Sequence, residues 1–418
     1  MKIENHHFCI LAVLALATFT VQAQDSDDSG DVAASDVAGD NRAVSASDVS
    51  PPDPPGSEMT PRGHNLRGVY MPVGRVKTLS AIEMLHELRT IGANAVVIDV
   101  KDDFGRVTFT NRLPLARGYP HGYQLGMKKL IKKLQDHGIY VIARLVCFKD
   151  NWFATRFSSV AVKDITTGGK WHDLHHQKWV DPHSQKMRDH IVSVAQASEA
   201  LGFDEIQLDY VRFPVETSAR NARYPEKRGN VKRYEMIAEL LRQVDVAISI
   251  PLSIDVFGLT AYHPEESEKL GQYLEHLGPY IDAISPMVYL ANWPSTYWEN
   301  PKPEKTHQVI KGACIRIRER LGKDVLVRPL LQGFRWRAEN WGYSFVKNQI
   351  DAAVNGGASG YIFWNAKGKY RQLRAVWADM DKEDAAREAA ANGTEDVKAQ
   401  NEHDIPQKSG AEDKEKNQ

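Results

Sequence analysis

Residues 203–214 read FDEIQLDYVRFP, and this stretch decides the fold because polar and apolar residues alternate within it. The side chains of a β-strand point to opposite faces in turn. One face therefore carries Ile206, Leu208 and Tyr210, and the other carries Glu205, Gln207 and Asp209. A buried carboxylate without a partner is strongly destabilising. The polar face of a core strand of this kind must therefore have polar partners or line a functional site. The pattern predicts a strand with one side in the hydrophobic core and the other at a polar site.

The composition of the 418-residue chain is ordinary for a globular protein, with 42% hydrophobic and 26% charged residues. Its formal net charge is −1, which gives no electrostatic reason to expect a nucleic acid or an anionic membrane surface as partner. We expect a monomer without a cofactor, and no membrane span once the N-terminal segment has been removed.

The N-terminus has the pattern of a targeting signal. Lys2 and two histidines precede the apolar run CILAVLALATFTV, and the small residues of VQA end at Ala23. The run is shorter than the roughly 20 residues that a membrane span needs. We therefore predict a secretory signal peptide over 1–23 and export to the periplasm or the medium, with an uncleaved anchor as the alternative.

Two segments flank the predicted domain, which covers 64–382. Residues 24–63 are rich in Asp, Ser, Ala, Gly and Pro, a composition that cannot bury enough apolar surface to offset the entropy of ordering. We predict a disordered acidic linker there. Residues 383–418 are charged and low in large apolar side chains, which predicts a largely disordered tail that is helical at most at its start.

Three cysteines are present, and Cys9 leaves with the signal peptide. Cys147 and Cys314 could form one disulfide. A chain of this length can stabilise itself through its core, so two buried free thiols are favoured.

Short apolar segments alternate with amphipathic stretches across the domain. The candidate strands are 66–72, 95–102, 140–148, 205–213, 251–259, 283–290, 325–334 and 360–366. Between them apolar residues recur at helical spacing, as Leu85, Leu88 and Ile91 do. Eight strands separated by helices predict a (β/α)8 TIM barrel. An open doubly wound sheet is the second choice, but no glycine-rich phosphate turn follows the first strand.

In a TIM barrel the active site lies at the C-terminal ends of the strands. Asp209 and Asp255 lie on the same parity near the ends of the fourth and fifth strands, and we predict them as the catalytic residues. Glu205 shares that parity but lies near a strand start, where we expect a structural role. The predicted substrate-binding residues are Asp99, Lys101, Arg144, Gln207, Arg212, Tyr289, Trp293, Gln332, Trp364 and Asn365. For Asp99 with Lys101, a structural ion pair is the favoured alternative.

Tryptophans in the loops and at the strand ends indicate a substrate class. The C–H faces of sugar rings stack on indole, while the sugar hydroxyls bind to Asp, Gln and Arg. Trp293 and Trp298, in the stretch LANWPSTYWENP, and Trp364 are the best placed for such stacking. Half or more of all the tryptophans are expected to pack helices onto the barrel instead. With the predicted export, this composition favours a polysaccharide or oligosaccharide substrate.

The segment KWHDLHHQKWVDPH contains four histidines, which raises the alternative of a metal-dependent hydrolase. Their spacing matches no helical His-x-x-x-His pair, and no cysteine accompanies them. We therefore predict no metal site and expect an active-site loop here. No G-x-S-x-G motif is present, so a serine hydrolase is disfavoured.

The chain resembles a bacterial glycoside hydrolase domain family that has long been catalogued as a domain of unknown function. The motifs are LRGVYMP, NAVVIDVKDDFGRV, GFDEIQLDYVRFP, IDVFG, DAISPMVY and RPLLQGF, in that order over roughly 66–366. The resemblance implies a TIM barrel and glycosidase chemistry but no particular substrate. Relatives often have PMVYPSHY where this chain has PMVYLANW at 286–293, so the contacts of the sixth loop are not carried over.

Glycosidic cleavage usually needs one protonated carboxyl group and one carboxylate. We predict Asp209 as the ionised partner, with Arg212 and Gln207 holding its charge, and Asp255 as the general acid. Neighbouring strands would bring the two carboxyl groups close enough for a retaining mechanism. A barrel that only binds polysaccharide, without cleaving it, is the alternative from another functional class.

Overall fold

Eight parallel strands close into a barrel in the computed structural model, which describes residues 59–403 except 110–112, 114, 119–125, 290, 292, 294–302 and 339. The strands are β1 (Leu66–Met71), β2 (Ala95–Lys101), β3 (Tyr140–Val146), β4 (Glu205–Asp209), β5 (Leu252–Phe257), β6 (Ala283–Met287), β7 (Leu326–Val327 and Leu330–Gln332) and β8 (Gly360–Trp364). Each strand pairs in parallel with the next, and β1 pairs with both β2 and β8. The predicted TIM barrel is confirmed, and the alternative prediction of an open doubly wound sheet is wrong.

Every predicted strand is present, although each prediction continued past the C-terminal end of its strand. The residues that follow the strands are often apolar as well, but they form the loops at the mouth of the barrel. The seventh strand is also interrupted at Arg328 and Pro329. Proline has no N–H to donate to a neighbouring strand, which explains a break at this position.

Helices lie between the strands. They are α1 (Val73–Val76), α2 (Ala81–Ile91), α3 (Met127–Gln135), α4 (Asn151–Arg156), α5 (Gln185–Leu201), α6 (Arg233–Ala247), α7 (Pro264–Leu270), α8 (Leu274–Leu277), α9 (Pro303–Leu321), α10 (Tyr343–Asn355) and α11 (Leu373–His403). Short 3-10 turns cover Pro61–Gly63, Ser158–Val160, Thr217–Asn221, Gly258–Ala261 and Gly278–Tyr280. Two short strands, Lys163–Asp164 and Ala222–Arg223, pair antiparallel in the loops after β3 and β4. Two others, Arg106–Val107 and Arg117–Gly118, continue the sheet beyond β2.

Helix α2 illustrates how local sequence sets the ends of an element. Ser80 and Glu83 form a capping box, in which each side chain accepts a hydrogen bond from the backbone N–H of the other residue. Gly92 ends the helix with a φ of 83°, a left-handed conformation that glycine adopts without steric strain.

The two faces of the barrel strands belong to separate hydrophobic layers. Val96 and Ile98 of β2 belong to the outer layer, between the strands and the helices. Val97 belongs to the inner layer, together with Tyr70 and Ile142. Polar residues that point into the barrel near the C-terminal ends of β1 to β3 therefore follow an inner apolar layer along these strands.

The ends of the chain and the cysteines bear on three further predictions. The predicted signal peptide and residues 24–58 of the predicted linker lie outside the described residues. Helix α11 continues to His403, beyond the predicted boundary at 382, and Arg67 forms salt bridges with Asp381 and Asp384 of this helix. Cys147 and Cys314 are buried free thiols, as predicted. Among the described residues, no helix combines the length and the apolar character that crossing a bilayer requires.

Candidate active site

The lowest polar level inside the barrel is a buried ion pair. Glu205 and Arg328 form a salt bridge of 2.6 Å, and neither side chain has any exposed surface. The hydroxyl groups of Ser253 and Tyr140 also donate hydrogen bonds to Glu205. This cluster at the N-terminal end of β4 is structural, as expected for Glu205. One inward step higher, the amide of Gln207 donates to Ser285 Oγ at 3.3 Å.

At the end of β4, the carboxylate of Asp209 accepts three hydrogen bonds. Arg144 donates two of them to Oδ2, from Nε at 2.9 Å and from Nη2 at 2.5 Å. The backbone N–H of Tyr210 donates the third to Oδ1 at 2.5 Å. Tyr210 has a φ of 50°, a left-handed conformation that is uncommon for a residue other than glycine. The chain thus turns sharply beside a carboxylate whose two oxygens are both held by the protein.

Arg144 also joins Asp209 to a second carboxylate, Asp99 at the end of β2. Its Nη1 donates to Asp99 Oδ1 at 2.5 Å, and the hydroxyl of Tyr70 donates to Asp99 Oδ2 at 2.6 Å. Burial raises the pKa of Asp99, although Arg144 opposes the shift. Burial alone would lower the pKa of Arg144, but Asp209 and Asp99 outweigh it and hold this pKa well above its usual value. Arg144 is therefore a permanent cation shared by two acids.

Asp255 at the end of β5 has the opposite environment. Its side chain is 1% exposed, and neither carboxyl oxygen has a hydrogen-bond partner among the described residues. Burial raises its pKa well above the usual value, and the negative charge of Asp209 raises it further. Burial and the neighbouring negative charge thus both favour the protonated form of Asp255.

The strand register places the two aspartates side by side. Leu208 of β4 pairs with Ile254 of β5. The next residue along each strand is Asp209 or Asp255, and neighbouring strands lie about 4.8 Å apart. The predicted adjacency of the fourth and fifth strands is confirmed. A held carboxylate and an unbonded acid thus stand at one level of the barrel mouth.

Aromatic side chains surround this level. The ring of Trp364 stacks on Tyr70, with 3.8 Å between the ring centroids, and the guanidinium of Arg144 lies 4.8 Å from the Trp364 ring. Trp364 keeps part of its surface exposed, whereas Tyr289 is buried. Burial raises the pKa of Tyr289 well above its usual value, with further contributions from Asp209 and Asp255. These rings form an apolar lining beside the acids.

Lys101 does not reach the site, so its predicted binding role is wrong. Its ammonium group is fully buried in a salt bridge of 2.8 Å with Asp150, and it donates to the Val146 carbonyl. The pairing of β2 with β3 shifts register between Asp99 and Lys101. This irregularity sets Lys101 level with Leu145 of the outer layer, and it also excludes the alternative ion pair with Asp99.

Three further predicted contacts hold loops in place. The indole N–H of Trp293 donates to the Met287 carbonyl, and the ring is buried in the outer layer. The amide of Gln332 donates to the carbonyls of Phe334 and Trp336. That of Asn365 donates to two loop carbonyls. These positions do not support the predicted binding roles. Trp298 lies outside the described residues.

The prediction that Arg212 and Gln207 hold the charge of Asp209 is wrong, because Arg144 has this role. Arg212 lies instead among aromatic rings after the end of β4. Tyr70 was not predicted as a site residue. Its inward parity on β1 was a usable signal, because it follows Leu66 and Gly68 on one face of the strand.

The histidine segment gives little support to a metal centre. Among the described residues, no three or more His, Cys, Asp or Glu side chains are grouped so that they could hold a metal ion. His183 Nδ1 contacts Asp181 Oδ1 at 2.7 Å, and His172, His175 and His176 are exposed. The absence of a metal in the active protein stays a prediction.

Comparison with known families assigns most of the chain. The model of a family described as "Putative glycosyl hydrolase domain" matches residues 68–370. This span contains all of β2 to β8 and every residue of the site described above. No curated protein matches the chain.

Two solved structures share the fold at low sequence identity, and a third is more similar in sequence over a shorter part of the chain. The glycoside hydrolase domain of PgaB (BpsB) from Bordetella bronchiseptica is 12% identical, with a TM-score of 0.56 over 75% of this chain and 98% of that one. α-L-Fucosidase isoenzyme 2 from Paenibacillus thiaminolyticus is 12% identical, with a TM-score of 0.52 over 77% of this chain and 50% of that one. A hypothetical protein from Ruminiclostridium thermocellum is 31% identical, with a TM-score of 0.40 over 45% of this chain and 97% of that one.

Proposed function

The chain belongs to the family described as "Putative glycosyl hydrolase domain", and we propose that it is an exported glycoside hydrolase acting on a polysaccharide. Asp255 is the general acid, and Asp209 is the second carboxylate. The observation that carries the proposal is the contrast between these neighbours. Asp209 accepts three hydrogen bonds, whereas the oxygens of buried Asp255 accept none from the part of the chain that the structure describes. Two carboxyl groups in opposite protonation states are what glycosidic cleavage requires.

In the first step Asp255 donates its proton to the glycosidic oxygen as the bond to the anomeric carbon breaks. Asp209 attacks that carbon and forms a glycosyl ester. In the second step Asp255, now ionised, takes a proton from water, whose oxygen displaces Asp209 from the anomeric carbon. Asp255 then carries its proton again, and Asp209 is again a carboxylate.

Arg144 has a positioning role in this cycle. Esterification removes the negative charge of Asp209. If Asp209 were the sole partner of Arg144, this step would leave the buried guanidinium without a counterion. Asp99 remains paired with Arg144 throughout, so the guanidinium keeps one carboxylate partner in every step. The side chain can therefore stay in place while its charge balance changes.

The proposed substrate contacts are the exposed part of Trp364 and the Tyr289 hydroxyl, together with Arg212 at the rim. Indole faces and polar groups in one concave site suit a sugar, which has apolar C–H faces and hydroxyl edges. Export is proposed from the pattern of residues 1–23, and N-terminal sequencing of the mature protein would test the cleavage after Ala23.

The activity is tested by screening polysaccharides and aryl glycosides with wild type, Asp209→Asn and Asp255→Asn. We expect Asp209→Asn to be inactive. Asp255→Asn should lose about 10²–10⁴-fold on substrates with poor leaving groups and much less on activated aryl glycosides, which depart without protonation. Asp136→Asn, at the exposed residue that follows α3, is the matched control and should behave as wild type. Glycan binding without any hydrolysis across a broad screen would favour a barrel that only binds polysaccharide.

A further inference from the structure

Arg212 has an unusual environment three residues after Asp209. Its side chain is 3% exposed, and its guanidinium lies 4.9 Å from the ring of Trp179, 5.3 Å from that of Tyr210 and 4.7 Å from that of Phe257. Aromatic faces attract a cation without neutralising its charge. The guanidinium is thus enclosed by rings and keeps its full positive charge.

Hydrogen bonding leaves most of this guanidinium unused. Nη1 donates to the Phe213 carbonyl at 3.1 Å, and no other bond links the Arg212 side chain to the described residues. The other basic side chains nearby have carboxylate partners. Arg144 pairs with Asp209 and Asp99. Lys149 lies 3.4 Å from Asp103 and 3.6 Å from Asp173. Within the described part of the chain, Arg212 has no carboxylate partner.

The Arg212 guanidinium lies against Phe257 at the end of β5, the strand that carries Asp255. Phe257 is the next inward residue of β5 after Asp255, about 6.6 Å further toward the mouth. Gln272 fixes the segment that carries Arg212 to this strand end, because its amide donates to the carbonyls of Val211 and Asp255 and accepts from the N–H of Phe257. The backbone beside Arg212 is therefore tied to the strand end that carries Asp255.

The edge of the guanidinium that makes no hydrogen bond to the described residues has the geometry to bind a carboxylate. Because Nη1 is taken by the Phe213 carbonyl, the Nε and Nη2 groups present two parallel N–H donors. This pair matches the two oxygens of a carboxylate. The nearby Asp209 is already paired with Arg144, which reduces its repulsion of such an anion.

We propose that Arg212 is a specificity-determining residue that binds the carboxylate of a uronic acid unit next to the cleaved bond. The substrate is accordingly an acidic polysaccharide. This inference rests on the proposed hydrolase function, and it identifies the class of substrate that the same site accepts.

The test is affinity electrophoresis of the Asp255→Asn protein, in which hydrolysis of a polysaccharide should be about 10²–10⁴-fold slower. The gels contain polygalacturonate, alginate, hyaluronate or glucuronoxylan, each beside its carboxyl-reduced neutral counterpart. We expect at least one acidic polymer to retard the protein, and reduction of its carboxyl groups to weaken binding at least about ten-fold. Retardation by none of them beyond its neutral form overturns the proposal, as does retardation by dextran sulfate alone, which would assign the site to a sulfate ester.

The residue is tested by adding Arg212→Met to this background. Arg233→Met is the matched control, because Arg233 also packs on aromatic rings, those of Phe213 and Tyr224, outside the candidate site. Only Arg212→Met should lose binding at least about ten-fold; equal effects of the two substitutions overturn the proposal. If Arg212→Met does not fold, Arg212→Lys replaces it, and the comparison of acidic with reduced polymers still decides.

Failure of this inference differs from failure of the proposed function. Hydrolysis of a neutral glycan at full rate by Arg212→Met would overturn the inference and leave the hydrolase intact. Arg212-dependent binding of an acidic polymer that wild type never cleaves would support the inference and count against hydrolysis.

Discussion

Arg144 donates two hydrogen bonds to a single oxygen of Asp209, although the two residues are 65 positions apart in the chain and lie on different strands. The same guanidinium contacts Asp99 through its third nitrogen. One cation therefore contacts two buried acids, whereas the third acid, Asp255, has no hydrogen-bond partner within the described ranges. This unequal sharing favours the protonated form of Asp255 over that of Asp209.

Replacing Arg144 by methionine should destabilise the protein strongly. The substitution leaves Asp99 and Asp209 buried without a cation, and breaking a buried ion pair in this way costs about 3–5 kcal/mol. Chemical denaturation followed by circular dichroism measures the change. Arg242→Met removes a surface pair with Glu239 and should cost no more than about 1 kcal/mol. Equal effects of the two substitutions would contradict the role assigned to Arg144.

Asp255→Asn should make stability less dependent on pH. Burial and Asp209 raise the pKa of Asp255 well above its usual value in the folded protein, whereas in the unfolded chain this group titrates near about 3.9. Between these two values the folded state holds a proton that the unfolded state has lost, so the free energy of unfolding falls as the pH rises. The substitution by asparagine removes the titrating group, and with it this loss of stability at higher pH. The melting temperature of the variant relative to wild type should rise from about pH 4 to about pH 8.

Asp136→Asn is a control of opposite sign for that measurement. The hydrogen bond from Lys132 lowers the pKa of Asp136, so its contribution is present above the unfolded pKa and is lost as the pH falls. The difference between this variant and wild type should be small and should not rise with pH. A flat difference for Asp255→Asn would mean that Asp255 is ionised in the folded protein.

The ion pair at the bottom of the barrel should respond as a coupled unit. Arg328→Met leaves Glu205 buried and unpaired, which we expect to cost about 3–5 kcal/mol. Adding Glu205→Gln removes the stranded charge and should recover a large part of the loss. A double-mutant cycle from denaturation curves measures the coupling, and strictly additive effects would contradict a direct interaction.

The stereochemistry of cleavage should be retaining. Asp209 and Asp255 stand level on neighbouring strands, and their short side chains favour the roughly 5–5.5 Å separation of a nucleophile and an acid over the roughly 6.5–9.5 Å that admits an inverting water. NMR of the first-formed product identifies its anomer on any substrate that the screen yields. Inverted product would exclude Asp209 as the nucleophile and would leave it as the base that activates water.

Patterns within short segments were enough to predict much of the fold. Alternation with a period of two identified the strands, including the one in FDEIQLDYVRFP, and apolar spacing identified the intervening helices. The same parity placed Asp209 and Asp255 on the inner face of neighbouring strands. The alternation of faces gave a wrong prediction for Lys101, because the register shift between β2 and β3 is not visible in the sequence of one strand.

The sequence by itself therefore determined the barrel, the order of its strands and the strand ends that carry the candidate acids, because these depend on periodicities within a few residues. Only the tertiary structure decided that Arg144 rather than Arg212 holds Asp209 and that Arg212 lies among aromatic rings. It also decided that no described residue forms a hydrogen bond with the Asp255 carboxyl group. A side chain's charge state and contacts depend on which groups from distant parts of the chain share its space, and strand pairing sets that arrangement.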